Sequence, residues 1–301
     1  MIRQLRQHDG KLQILGLDLN LPEVDHPDEF IKLDIRDKAM LDQLVCFNPD
    51  AIIHLAFVLN PIRNEYKARK INLGGFSNVL QAVAHTQTKH LMIVSSATAY
   101  GAHAEYQQPY SEIETLKGNC KLRYAADKVQ IEKLIKLFAS QYPSVLVNSI
   151  RPCLIGGHGA DNFIMRYLVN MPFLILIDGR DLPLQFAHVS DVARAMSEIL
   201  YTGLPGPFNI APQDELRLSQ IAERLKKPTR PLPYWLVHAM TALAWHSRVP
   251  IFEVSPGFVP YSRYPWLVDS TRLIRECRFV FQYDSKSTFE ESLPARFHHR
   301  S

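Results

Sequence analysis

Leu91-Met92-Ile93-Val94-Ser95-Ser96 is an apolar run that ends in two hydroxyl side chains, and Tyr124-Ala125-Ala126-Asp127-Lys128 opens the next helical stretch. A run that is apolar on both faces belongs inside a covered parallel sheet. A phenol and an ammonium four positions apart share one helix face. Ligands of open α/β sheets bind outside the carboxyl ends of the strands, so the serines stand at the expected site. Tyr124 and Lys128 beside a serine suit proton transfer to or from a bound oxygen.

Working outward, Gln13-Ile14-Leu15-Gly16-Leu17-Asp18, Ala51-Ile52-Ile53-His54-Leu55-Ala56, Val145-Leu146-Val147-Asn148-Ser149-Ile150 and Leu184-Gln185-Phe186-Ala187-His188-Val189 also read as strands. Helical patterns fall at residues 38–47, 67–85, 124–141, 162–169 and 191–201. This alternation predicts an α/β fold, a Rossmann-like doubly wound parallel sheet. After Arg151-Pro152 the pattern loosens, and from Thr229 onward prolines and aromatics accumulate, which predicts a small C-terminal substrate lobe. The expected division is a nucleotide-binding domain over residues 1–150, to which 183–203 return, and a lobe over 151–182 and 204–301. No internal repeat or low-complexity tract interrupts it.

A chain of 301 residues with a net charge of +4 suffices for such a core and gives no basic stripe for a nucleic-acid partner. Cys46, Cys120, Cys153 and Cys277 are widely spaced, which predicts reduced thiols in a cytoplasmic protein rather than disulfides or zinc. No run reaches the roughly 18–20 apolar residues of a membrane span. The apolar stretch 234–245 reads as a helix over the substrate lobe, with a membrane surface as the lesser alternative. His54 and His188 read as structural residues in strands and His298-His299 as a solvated tail; no metal site is predicted.

Asp18, ending the first strand, is placed to accept both hydroxyls of an adenosine ribose and to repel a 2′-phosphate, which favours NAD over NADP. A solvated strand-end aspartate is the competing reading. Asp34 is placed to accept from the adenine amino group, with Ile35 against the ring, and is equally compatible with a helix N-cap. Ser96 and Thr98 face the site, and Lys128 is placed to hold the nicotinamide ribose while its charge favours the phenolate of Tyr124. Tyr-x-x-x-Lys alone is a weak pattern, but the preceding serine strand and Asp18 make it specific.

With these residues in place, the chain resembles the extended short-chain dehydrogenases/reductases, the group of NAD-dependent epimerases and dehydratases, over nearly its whole length. Asp50-Ala51-Ile52-Ile53-His54-Leu55-Ala56, Asn72 in Ile71-Asn72-Leu73-Gly74-Gly75, Ser96-Ala97-Thr98-Ala99-Tyr100-Gly101, Arg151-Pro152 with Gly157 and Gly159, and Phe186-Ala187-His188-Val189-Ser190-Asp191-Val192-Ala193 carry the likeness. The resemblance implies that Tyr124 is the acid/base, that Ser96 orients the substrate oxygen with Thr98 as substitute, and that Lys128 positions the ribose. It implies cofactor contacts from Leu55, Ala56, Asn72, Ser95 and Pro152, and a homodimer through the helices over 67–85 and 124–141.

Three departures stand out. The family begins with a strand and Gly-x-x-Gly-x-x-Gly, whereas Met1 to Gly10 match only the end of the following helix, so roughly 15–20 residues of a βα start are absent. A start codon placed downstream and a true truncation both account for this. Loss of that central strand predicts unpaired backbone groups on its neighbours, at about 1–3 kcal/mol each. Leu154 stands where nucleotide-sugar enzymes often carry asparagine, and the end of the chain is rich in aromatics. The expected activity is that of a nucleotide-sugar epimerase or dehydratase. The alternatives are a dehydrogenase of an apolar hydroxy or keto substrate and a non-catalytic remnant. Arg217, Arg224, Arg263 and Arg272 converging on the cleft would mark the sugar, and Trp235, Trp245 and Phe258 lining it would mark the apolar substrate.

Overall fold

The computed structural model describes residues 1–59, 64–160, 163–247 and 254–294. The chain runs through α1 (Ile2–His8), β1 (Leu15–Asp18), β2 (Glu29–Lys32), α2 (Ala39–Phe47), β3 (Ala51–His54) and α3 (Glu65–Arg69). A π-helical turn, Lys70–Gly74, joins α3 to α4 (Gly75–His85), and β4 (His90–Val94), α5 (Arg123–Gln141) and β5 (Leu146–Pro152) follow. Then come β6 (Leu154–Gly156), α6 (Phe163–Asn170), β7 (Leu174–Ile177), β8 (Pro183–Leu184), β9 (Phe186–His188), α7 (Val189–Thr202) and β10 (Gly206–Ile210). The chain continues with β11 (Leu216–Arg217), α8 (Leu218–Arg224), β12 (Thr229–Leu232), α9 (Tyr234–His246), a 3-10 turn over Pro256–Ser262, α10 (Thr271–Glu276) and α11 (Ser285–Glu291).

The central sheet has the order β10-β5-β4-β3, with every pair parallel. Because successive side chains of a strand point to opposite faces, β4 serves two cores at once. Leu91 and Ile93 pack with Phe76 and Val79 of α4 and Ile131 and Ile135 of α5. Met92 packs on the opposite face with Ala195 and Ile199 of α7. That explains the continuous apolar character of the run and is the doubly covered sheet the alternation predicts.

Of the strands that the sequence pattern does not place, two bear on the nucleotide-binding half. β2, Glu29-Phe30-Ile31-Lys32, has charged residues at both ends and pairs parallel with β1 as a two-stranded ribbon. Among the described residues β1 hydrogen-bonds to β2 and β3 to β4, with no strand joining the ribbon to the central sheet. Leu15 and Leu17 of the ribbon nevertheless pack on the core that contains Ile52. The second is β10, which corrects the expected division: residues 206–210, assigned to the lobe, form the edge strand of the central sheet beside β5. Pro207 hid this strand, since proline lacks the N–H of a ladder and is tolerated at a sheet edge.

Short pairs build the lobe: β12 with β7, β11 with β8 and β6 with β9. α9 covers residues 234–246 as the apolar stretch predicts, and among the described residues no helix is long and apolar enough to cross a membrane. All four cysteines are free thiols, Cys153 and Cys277 buried. His298 and His299 lie outside the described residues.

A buried ion pair ties α5 to the end of β5. Arg151 donates from Nε to Glu132 Oε1 and from Nη2 to Oε2, both at 2.8 Å. Its Nη1 donates to the Tyr100 hydroxyl at 2.8 Å and to the Glu112 carbonyl at 3.2 Å. Ser149 adds a donor to Glu132 at 2.5 Å. Burial by itself would raise the Glu132 carboxyl, but the bonds and charge of Arg151 outweigh it and leave that pKa below its ordinary value. Removing one partner strands a buried charge, so Arg151→Met should lower stability by about 3–5 kcal/mol in urea denaturation. The double variant Glu132→Met/Arg151→Met should recover a large part of that loss.

Candidate active site

β4 ends at Val94, and the chain leaves the sheet through Ser95 and Ser96. Ser96 caps a short 3-10 turn: its Oγ accepts from the Thr98 amide at 3.2 Å and from Thr98 Oγ1 at 2.9 Å. With both acceptor positions of Oγ engaged, the hydroxyl hydrogen of Ser96 is left to point elsewhere. α5 starts at Arg123, which puts Tyr124 in its first turn and Lys128 one turn later on the same face. Tyr124 and Ser96 line the same cavity wall, and Lys128 Nζ donates to the Val94 carbonyl at 2.7 Å. The three residues expected to carry the chemistry therefore meet at the carboxyl end of one strand.

Phe57, which the sequence did not single out, caps this group. Its ring lies 3.5 Å from Lys128 Nζ, a cation–π distance, and meets the Tyr124 ring edge-on at 5.2 Å. Asn72 sits in the π turn, a local distortion often found at functional sites, and holds this segment in place. Its Oδ1 accepts from the Val58 amide at 2.9 Å, and its Nδ2 donates to Asp127 Oδ2 at 3.1 Å. Asn72 thereby clasps the segment after β3 to α5. The close approach of the next turn to the loop after β2 requires Gly75, because a Cβ there would strike the Ile35 side chain.

Burial governs the titrations. It pushes the Tyr124 phenol up to about 12, against the opposing hydrogen bond from Ser96. It pulls Lys128 down to about 7, with the charges of Glu132 and Asp127 opposing. His54 falls to about 4 through burial and the charge of Lys128. This corrects the expectation that Lys128 lowers the phenol: the ammonium is occupied by Val94 and Phe57, and burial moves the phenol the other way.

A cavity of about 420 Å³ opens beside the phenol, a size common for small-molecule sites. Its wall brings together Leu55, Asn72, Ser95, Ser96, Tyr124, Lys128 and Pro152 of the expected residues, with Thr98 and Leu154. Asp18, Asp34, Ile35 and Ala56 lie outside it. Asp18 is exposed at the end of β1 and accepts from the Asn20 amide at 3.0 Å. Both Asp34 oxygens are engaged by Arg36, at 2.9 and 2.6 Å, which holds its carboxyl down at about 2.

The aromatic lobe closes the other side. Tyr261 donates its hydroxyl hydrogen to the Thr98 carbonyl at 2.7 Å, and Trp266 Nε1 donates to the Tyr261 carbonyl at 3.1 Å. Gly257 lets the 3-10 turn press against the Lys121 carbonyl, where a Cβ would clash. Phe258, Trp245 and Trp266 line the cavity, whereas Trp235 is 69% exposed on α9. The four arginines named as candidates all lie outside it.

Residues 1–211 match the model of the NAD dependent epimerase/dehydratase family, and the chain belongs to that family. An uncharacterised protein of Mycobacterium bovis is 23% identical over 271 residues, covering 89% of this chain and 71% of that one. Among solved structures, MoeE5 in complex with UDP-glucuronic acid and NAD superposes with a TM-score of 0.75 at 16% identity, covering 99% of this chain and 94% of that chain. The UDP-glucose 4-epimerase of Thermus thermophilus, in complex with NAD, gives 0.72 at 18% identity, covering 100% of this chain and 97% of that chain. These likenesses establish the Rossmann-type fold.

The folded pKa of Lys128, about 7, lies below its ordinary 10.5. Between those values the unfolded chain binds more protons, so this group makes stability rise with pH across that window, by at most about 1.4 kcal/mol per pH unit. Below the folded pKa the full cost of burying the ammonium remains. Lys128→Met should therefore flatten the dependence, and urea midpoints at about pH 7 and about pH 9 will show whether the slope is lost.

Proposed function

We propose that this chain is an NAD-dependent oxidoreductase that interconverts a secondary alcohol and a carbonyl, with Tyr124 as acid/base. The observation that carries this reading is the convergence of Ser96, Tyr124 and Lys128 on one cavity at the carboxyl end of β4. The same proton and hydride exchange begins an epimerisation or a dehydration, so the reading covers those outcomes.

The residues fit the nicotinamide end of the cofactor. Leu55, Ser95 and Pro152 stand in the same wall as the phenol, and Lys128 is the ribose ligand once it leaves Val94. Asp18 and Asp34 are the carboxylates for the adenosine end. When bound, the cofactor would supply the hydride exchange, accepting a hydride as NAD when the alcohol is oxidised and giving one as NADH when the carbonyl is reduced.

The protein's part is proton movement and positioning. With its pKa raised, Tyr124 holds its proton at neutral pH, which suits donation from its hydroxyl to a carbonyl oxygen. Ser96 Oγ, fixed by two bonds from Thr98, is the hydroxyl that orients that oxygen. Lys128, one turn along α5 from Tyr124, holds its position through the Val94 carbonyl and the Phe57 ring. Asn72 sets the position of the segment carrying Phe57. A homodimer through α4 and α5 in the cytoplasm belongs to the same proposal, and light scattering on the eluted protein checks the dimer.

A second reading is a binding module without turnover, favoured by the place of Phe57 over Lys128, where a ribose would come. Calorimetric titration with NAD separates the two: micromolar binding supports the enzyme, and no binding by a folded chain supports the module. For the enzyme, Tyr124→Phe should reduce kcat by about 10²–10⁴-fold with the thermal midpoint little changed. A fully active Tyr124→Phe protein would remove Tyr124 from its role.

A further inference from the structure

We infer that the substrate of this site is an apolar molecule carrying one secondary alcohol or ketone, and not a nucleoside diphosphate sugar. This deepens the proposed oxidoreductase reading and rests on it. The described lining of the cavity is mostly apolar, with a few hydroxyl groups. Its hydroxyl-bearing groups, Ser96, Thr98 and Tyr124, follow β4 and open α5, and Leu154, Ile164, Trp245, Phe258 and Trp266 line the same cavity. Phe258 is itself braced, meeting Phe163 edge-on at 5.2 Å and stacking on Tyr261 at 5.6 Å.

A diphosphate needs cations to replace its water, and arginine forks are the usual means. Among the described residues of the cavity wall the cationic side chains are Arg123 and Lys128. Arg123 is bonded to Glu65 at 3.0 Å, so the pair is neutral, and Lys128 belongs to the proton-transfer group. The four arginines named as candidates are committed elsewhere. Arg217 pairs with Glu215, Arg224 with Glu290 and Arg263 with Asp178. Arg272 pairs with Glu276 and donates to the carbonyls of Pro205 and Pro207. Among the described residues of this wall a dianion would find no free cation in place of its hydration, whereas an apolar skeleton gains from leaving water.

The test measures binding apart from turnover. The full chain, saturated with NAD, is titrated calorimetrically with a homologous series of alkan-2-ols up to decan-2-ol, and separately with UDP-glucose; the same titrations are repeated on Tyr124→Phe. Affinity should rise about fourfold per added methylene, the factor expected for burying one CH₂, in both proteins, with no heat from UDP-glucose. Phe258→Ala and Ile164→Ala should each weaken decan-2-ol by about tenfold or more, with melting temperatures reported beside them. An affinity independent of chain length, saturable binding of UDP-glucose, or binding of neither probe would overturn the inference. Graded alkanol binding without NADH production would leave the substrate class standing and remove the oxidoreductase reading; turnover of UDP-glucose would do the reverse.

Discussion

The active-site geometry depends on the buried pair of Glu132 and Arg151. α5 carries both Tyr124 and Lys128, and its position against the sheet is set where Glu132, one turn beyond Lys128, is forked by Arg151 from β5. Arg151 also reaches Tyr100, which follows the Ser96 turn, and the Glu112 carbonyl. One guanidinium thus references the helix, the serine turn and the β5 end to each other. Such a pair adds little net stability over an apolar equivalent, yet it tolerates no misplacement, because a displaced helix would leave a charge in the interior.

The lobe is tied to the same point. Tyr100 donates to Asn209 on β10 at 2.9 Å, and Asn209 donates to the carbonyls of Tyr110 and Asp269. Tyr261 reaches the Thr98 carbonyl from the other side. The aromatic wall is therefore held to the serine turn by directional bonds as well as by packing.

What the sequence made legible follows from how local each signal is. The strand Leu91–Ser96 and the helix carrying Tyr124 and Lys128 were readable because continuous apolar character and four-residue spacing are properties of short stretches. That Ser96, Tyr124 and Lys128 would meet at one cavity was readable for the same reason. β2 was not, since two apolar residues between charges give no period, and β10 was hidden by its proline. Phe57 was missed because its meaning lies in contact with Lys128, far along the chain, and phenylalanine after a strand reads as ordinary core. The commitments of the four arginines were equally invisible, each resting on a carboxylate or carbonyl that only folding brings near. The upward displacement of the Tyr124 pKa is likewise a product of enclosure, which spacing does not record.

Arg272 shows what such a commitment means beyond the cavity. β10 is the last strand of the central sheet, and a terminal strand offers its free carbonyls to any passing chain. Arg272 spans the carbonyls of Pro205 and Pro207 while its guanidinium lies 4.2 Å from the centre of the Phe208 ring, and Pro207 itself has no N–H to offer. Among the described residues the β10 edge of the sheet is thus closed to strand addition, a protection against edge-to-edge aggregation.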